Sequence, residues 1–226
     1  MGYCRLAPRR VAGPTPSGLL FDFERGKISL LPPVRGRPLM RGVLFLALFL
    51  FQVSIAWGLS SEQWFQEGNR FSSEGRFEEA VKAYEKSIAS NALSPVAHYN
   101  LGIAYKNLKQ LDKAAVALEK SVELEPVNMD ARVTLGNVYN LQERWADAIG
   151  QLNVVVHRKQ GDAEAHGNLG WAYYNYKEGP PFKELVILNL ARAVKLFKEQ
   201  NQLQAAEATQ KILEEARNKF GDPLIQ

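Results

Sequence analysis

Residues 100–126 read NLGIAYKNLKQLDKAAVALEKSVELEP. The pattern predicts helices over Pro95–Leu108 and Leu111–Glu125, separated by Lys109-Gln110 and closed by Pro126. A glycine inside a helix costs about 1 kcal/mol relative to alanine, so Gly102 needs a reason to be there. That reason recurs along the chain. Gly68, Gly102, Gly136 and Gly170 stand 34 residues apart without drift, and three residues after each comes an aromatic: Phe71, Tyr105, Tyr139 and Tyr173. Close approach of a second helix is a reason that would recur with such a period.

The rest of the unit keeps step. Glu67, Leu101, Leu135 and Leu169 precede the glycines, and Trp64, His98, Arg132 and His166 lie four residues before them. Ala80, Ala114 and Ala148 follow the first three glycines by twelve residues, with Tyr84, Leu118 and Leu152 four further on. On helices, this spacing sets each glycine against the alanine of the next helix, with the aromatic and the Tyr/Leu beside them. The pattern W-x2-L-G-x2-Y, then A-x3-F, then proline, at this period resembles the tetratricopeptide repeat (TPR). The resemblance runs from about Ser60 to Phe197. It departs at Glu67, where leucine is usual, and at the repeat ends, of which only the second carries the proline, Pro126. After Tyr173 the spacing breaks at Gly179-Pro180-Pro181, and Leu190 and Ala193 are expected to resume it.

The resemblance implies an all-α fold, a right-handed superhelical stack of helix hairpins with three full repeats and a modified fourth. The repeats fall at about 61–94, 95–128, 129–162 and 163–199, within a domain of residues 59–199. Helix pairs are expected at Ser61–Glu74 with Phe77–Ser90, Pro95–Leu108 with Leu111–Glu125, Met129–Leu141 with Trp145–His157, and Ala163–Tyr176 with Phe182–Glu199. In residues 200–226, an amphipathic helix over Gln202–Phe220 presents Leu203, Ala206, Ile212, Leu213 and Ala216 on one face and caps the open end of the stack.

Composition divides the chain at the start of the repeats. The net charge is +4, but eight of the 28 basic residues and only two of the 24 acidic ones lie in residues 1–56. The remainder, with 20 basic and 22 acidic residues, carries −2, which argues against a nucleic-acid partner. Residues 1–39 hold six prolines and no helix or strand of useful length is expected there, as in a disordered tail or an upstream segment outside the true coding sequence. Residues 40–58 read as a signal peptide or signal anchor. Met40 and Arg41 precede the run VLFLALFLFQVSIA at 43–56, with small residues Ser54 and Ala56 suited to cleavage. The basic residues before the run orient the repeats outside the cytoplasm, exported or periplasmic, soluble after cleavage or held by a membrane helix over Val43 to Leu59. Cys4 is the single cysteine, so the repeats contain neither a disulfide nor a thiol nucleophile.

Stacked helix pairs curve with their first helices inside. In this family the resulting groove receives extended peptides or partner helices, so the resemblance makes the residues flanking each glycine on that face the binding candidates. These are Phe65 and Asn69; Tyr99, Asn100 and Ile103; Val133, Asn137 and Asn140; and Asn168, Trp171, Tyr174 and Asn175. Asparagine recurs in every repeat, and its amide both donates and accepts, so Asn69, Asn100, Asn137 and Asn168 suit a ladder along a peptide backbone. The alternative is that they sit on a solvated face or satisfy their own helices. Chaperone-binding members clamp a C-terminal carboxylate with two asparagines and three cations. Asn69 and Asn100 match those asparagines, but Phe65, Asp130 and Thr134 occupy the cationic positions. A second candidate surface is the aromatic cluster Trp171, Tyr174, Tyr176 and Phe182, suited to a partner, to self-association or to packing on the terminal helix.

No catalytic site, cofactor or metal is expected. His98 and His166 are two repeats apart, and no nucleophile elbow or phosphate-binding loop is present. The expected function is a non-catalytic adaptor for a protein or peptide partner in cell-envelope assembly or secretion. The alternatives are a self-associating scaffold or an assembly chaperone, a non-catalytic subunit of an enzyme complex.

Overall fold

The structure is a computed structural model that describes residues 19–22, 27–30, 59–178 and 182–221. It divides into two units, 1–58 and 59–226. In the first, strand β1 (Leu19–Asp22) pairs antiparallel with β2 (Lys27–Leu30), Leu19 opposite Leu30 and Asp22 opposite Lys27. Residues 1–39, where no helix or strand of useful length is expected, thus hold two strands of four residues: the prolines lie outside LLFD and KISL, whose apolar residues suit paired strands. The apolar run at 43–56 and the Gly179-Pro180-Pro181 insertion lie outside the described residues.

The second unit is all-α. Its helices are α1 (Ser61–Ser73), α2 (Phe77–Ser90), α3 (Pro95–Asn107), α4 (Leu111–Leu124), α5 (Met129–Leu141), α6 (Trp145–Arg158), α7 (Ala163–Asn175), α8 (Lys183–Glu199) and α9 (Leu203–Phe220). Each first helix of a pair starts on a cap in the repeat's own register. Ser60, Ser94, Asn128 and Asp162 accept from the backbone N–H of Gln63, Ala97, Ala131 and Ala165, satisfying donors the helix leaves open. The turn inside each of the first three pairs is in register too, with Gly75, Lys109 and Glu143 at φ of 74°, 59° and 59°. That left-handed conformation ends one helix and reverses the chain.

The nearest neighbour of each repeat glycine is the Tyr/Leu side chain rather than the expected alanine, although a Cβ on Gly102 would also lie 3.3 Å from the Ala114 carbonyl oxygen. A Cβ on Gly68 would lie 2.5 Å from the Tyr84 ring, and on Gly102, Gly136 and Gly170 it would meet Leu118, Leu152 and Leu190 at 2.5, 2.6 and 2.8 Å. The glycine therefore makes room for the Tyr/Leu side chain, while Ala80, Ala114 and Ala148 are fully buried alongside. The aromatic or branched side chain is the longer of the two and takes the notch. In the fourth repeat Val186, four residues before Leu190, holds the alanine's place, so Ala193 is not its counterpart.

Helix α9 packs on α8 and touches α7, burying Ala206, Leu213 and Ala216. Leu203, expected on that face, is 58% exposed because it is the first residue of α9, at the open end. Consecutive first helices α1, α3, α5 and α7 touch each other, and the second helices α2, α4, α6 and α8 do not. The closely spaced row is the inner side of a curved stack, which fixes the concave face.

Candidate functional site

The four inner helices place equivalent residues side by side. One residue after the glycines stand Asn69, Ile103, Asn137 and Trp171; two residues before them stand Gln66, Asn100, Thr134 and Asn168. Two asparagine pairs therefore arise across neighbouring repeats, Asn69 with Asn100 and Asn137 with Asn168, two periods apart.

The first pair is closed. Asn100 Nδ2 donates to Asn69 Oδ1 at 2.8 Å, and the Tyr84 hydroxyl donates to the same oxygen at 2.8 Å. These residues, with Ser72, Ser73 and Ile103, line a cleft of about 260 Å³. Burial is the first cause that raises the Tyr84 pKa above its ordinary value, with its hydrogen-bonded neighbours partly opposing it.

The second pair is open. Among the described residues no side-chain hydrogen bond joins Asn137 to Asn168. Instead Asn140, one turn beyond Gly136, donates Nδ2 to the backbone carbonyl of Asn168 at 3.0 Å. Its own Oδ1 and the Nδ2 of Asn168 are buried without partners. Both residues line a cleft of about 320 Å³ completed by Trp171 of α7, Leu190 of α8 and Thr209 and Ile212 of α9. The terminal helix thus supplies one wall of the concave cleft as well as capping the stack.

The remaining candidates are distributed differently. Tyr99 packs partly buried on the core. Asn175 Nδ2 donates to Trp171 O, within its own helix. Tyr174 stacks on Trp171 with ring centroids 5.9 Å apart, meets Phe220 edge-on at 5.8 Å, and carries the Lys219 ammonium 4.3 Å above its ring. Tyr173 and Tyr176 pack on Phe182. The extra aromatics of the fourth repeat therefore pack within the chain, Tyr174 against the terminal helix. Trp171 also reaches the cleft.

The three positions that would carry cations in a carboxylate clamp have other occupations. Phe65 packs on Tyr84 at 6.0 Å, Asp130 pairs with Lys159 at 2.7 Å, and Thr134 Oγ1 donates to Asp130 O at 2.9 Å. The histidines hold loops. His98 Nε2, Arg132 Nε and His166 Nε2 lie 3.1, 2.9 and 3.3 Å from the carbonyls of Ala92, Pro126 and Gln160, each six residues earlier. The 34-residue spacing of His98, Arg132 and His166 was visible in the sequence; the loop carbonyl each one meets was not.

Comparison with known proteins agrees with this geometry. Residues 68–109 match the family model described as TPR repeat, and residues 95–128 match tetratricopeptide repeat. Residues 68–128 thus match tetratricopeptide-repeat models. A TPR repeat-containing protein of Methanocaldococcus jannaschii, MJ1428, is 30% identical over 70 residues, 31% of this chain and 12% of that protein. Sperm-associated antigen 1 of Rattus norvegicus is 28% identical over 119 residues, 53% of this chain and 13% of that protein. The chain thus spans only about an eighth of the length of these curated relatives. Among solved structures, MamA from Desulfovibrio magneticus RS-1 superposes with a TM-score of 0.57 at 21% identity, covering 73% of this chain and 99% of that one. YrrB, described as a TPR protein with an unusual peptide-binding site, gives 0.53 at 20% identity, covering 72% and 87%. These likenesses establish the helical stack.

Proposed function

We propose that this chain is a non-catalytic adaptor whose concave face, formed by α1, α3, α5 and α7, receives an extended peptide or helix of a partner protein. The observation that carries the reading is the row Asn69, Asn100, Asn137 and Asn168 on that face, flanked by two clefts. Neutral amides recognise a peptide backbone whatever its side chains, which suits an adaptor and supplies no group able to cleave or transfer a bond. The peptide-binding site named for YrrB is consistent with such a use of the fold. The uncharged run at 43–56, with basic residues before it, supports work outside the cytoplasm, in cell-envelope assembly or secretion.

The test is recovery of partners by the full chain expressed in cells, compared with an Asn100→Ala, Asn137→Ala double variant. A specific partner should fall several-fold in yield with the variant, at equal bait. Undiminished recovery would remove the concave face from the reading. The same bait, sequenced from its N-terminus, should begin near Trp57 or Leu59 after cleavage, or retain residues 43–56 if the run is an anchor.

A further inference from the structure

The cleft beneath Trp171 contains an incomplete hydrogen-bond set. Asn140 is 7% exposed and its Oδ1 has no partner; Asn168 Nδ2, on the neighbouring helix, has none either. The identity of the leftover atom on Asn140 is fixed, because its Nδ2 already donates to Asn168 O. Buried side-chain amides are nearly always bonded. Two repeats earlier the counterpart of Asn168 is bonded, Asn100 Nδ2 donating to Asn69 Oδ1, which also receives the Tyr84 hydroxyl, and Ser72 stands in the place of Asn140. Leu152 stands where Tyr84 stands, so the second pair has no hydroxyl to close it.

We propose that Asn140 and Asn168 take the backbone N–H and C=O of one residue in an extended, uncharged, internal segment of a partner protein, whose apolar side chain lies in the cleft beside Trp171 and Ile212. The proposal rests on the concave-face reading above and deepens it. An unpaired acceptor and an unpaired donor on adjacent helices are the complement of a single extended residue, whose N–H and C=O emerge on the same edge of the strand. A cleft of about 320 Å³ accommodates one residue with its side chain, not a helix some 10 Å across. Charge selects the kind of segment. Glu164 is the one charged residue among those lining the cleft, and the cationic clamp positions hold Phe65, Asp130 and Thr134, so a terminal carboxylate finds no counter-ion. Both unpaired atoms are shut off from solvent. The half-buried Asn168 opens access by turning its carboxamide about the soft terminal torsion.

The experiment uses the full-length chain and a pool of fluorescent eight-residue peptides, drawn from Gly, Ser, Thr, Leu, Ile and Val, capped by acetyl and amide groups. A parallel pool ends in a free carboxylate. The capped pool should bind at least as well as the free-carboxylate pool. Asn140→Leu should weaken binding tenfold or more while leaving the urea midpoint unchanged or raised, since leucine removes an unsatisfied buried group. Asn168→Ala, half-buried and tolerant, should weaken binding similarly and stands in if Asn140→Leu does not fold. Asn69→Ala, whose Oδ1 is already bonded within the chain, should weaken binding less than either. Preference for the free-carboxylate pool overturns the proposal. So does a lowered midpoint in Asn140→Leu with unchanged affinity, which would make Asn140 a brace. Binding lost with Asn69→Ala and kept with Asn140→Leu and Asn168→Ala would preserve the concave-face reading and reject this site. Absence of binding by either pool, or self-association of the chain that the capped pool fails to displace, rejects the peptide occupant.

Discussion

The two asparagine pairs on the concave face occupy the same register of the repeat and differ in state. Asn69 and Asn100 are bonded to each other and locked by Tyr84, whereas among the described residues no side-chain hydrogen bond joins Asn137 to Asn168, and Asn168 Nδ2 and the neighbouring Asn140 Oδ1 are buried without partners. One side chain per repeat, packed against a glycine at the opposite end of its contacts, decides which. A repeat therefore specifies where a polar group stands, while the residue it meets decides whether that group is structural or free to bind. The same division appears on the other side of the helices. Tyr105 and Tyr139 donate to the carboxylates of Glu85 and Glu119, but Tyr173 meets the amide of Asn153.

The largest effect is expected from emptying the glycine notch of the third repeat. Leu152 is fully buried against Gly136, and truncating such a leucine costs about 2–5 kcal/mol through lost burial and the cavity left behind. Leu152→Ala should lower the urea unfolding midpoint by an amount in that range. A change well below it would mean that the notch collapses and that the leucine does not set the spacing of α5 and α6.

Much of this architecture was legible beforehand. Every helix boundary falls within one residue of its expected place, because the glycine period, the turn residues and the apolar spacing all reflect backbone requirements that repeat unit by unit. The binding face was legible only as a set of positions. That Asn69 is consumed by Asn100 and Tyr84 depends on the reach of a phenol hydroxyl across a hairpin, which no periodicity encodes. The part of α9 in the second cleft was hidden for a similar reason. Its apolar stripe announced a cap, but the contact with α8 and α7 that brings Thr209 and Ile212 to the cleft follows from the packing of whole helices.

A smaller effect is expected at Tyr84, whose hydroxyl closes the first pair. Tyr84→Phe keeps the ring in the Gly68 notch and removes only the hydroxyl, so it should cost about 0.5–1.5 kcal/mol, the net worth of one hydrogen bond. A double-mutant cycle with Asn69→Ala should return most of that as coupling. The corresponding cycle of Leu152→Ala with Asn137→Ala should return coupling within error. Equal coupling in both cycles would show that the two pairs are held alike in solution and that the unpaired state of the second is not a property of the molecule.

The smallest effect concerns the outer tyrosines and is read by pH. Burial first, and then the hydrogen bond to the Glu85 carboxylate 2.6 Å away, disfavours the Tyr105 phenolate and pushes its pKa from 10.0 up to about 12. Tyr139, buried against Glu119 at 2.6 Å, is raised in the same sense, with the Arg144 guanidinium above its ring partly opposing. An unfolded tyrosine loses its proton near pH 10 while these two still hold theirs. The stability they contribute is thus complete below pH of about 10 and is lost as the pH rises through their folded values. The phenolate absorbance should accordingly rise in an early phase and a distinct late one. Glu85→Gln with Glu119→Gln should draw the late phase toward the early one, though not merge them, since burial remains. A single phase near pH 10 in the folded chain would place water at both hydroxyls, and the carboxylate joints of the first three repeats would then differ from the Asn153 joint of the fourth in charge alone.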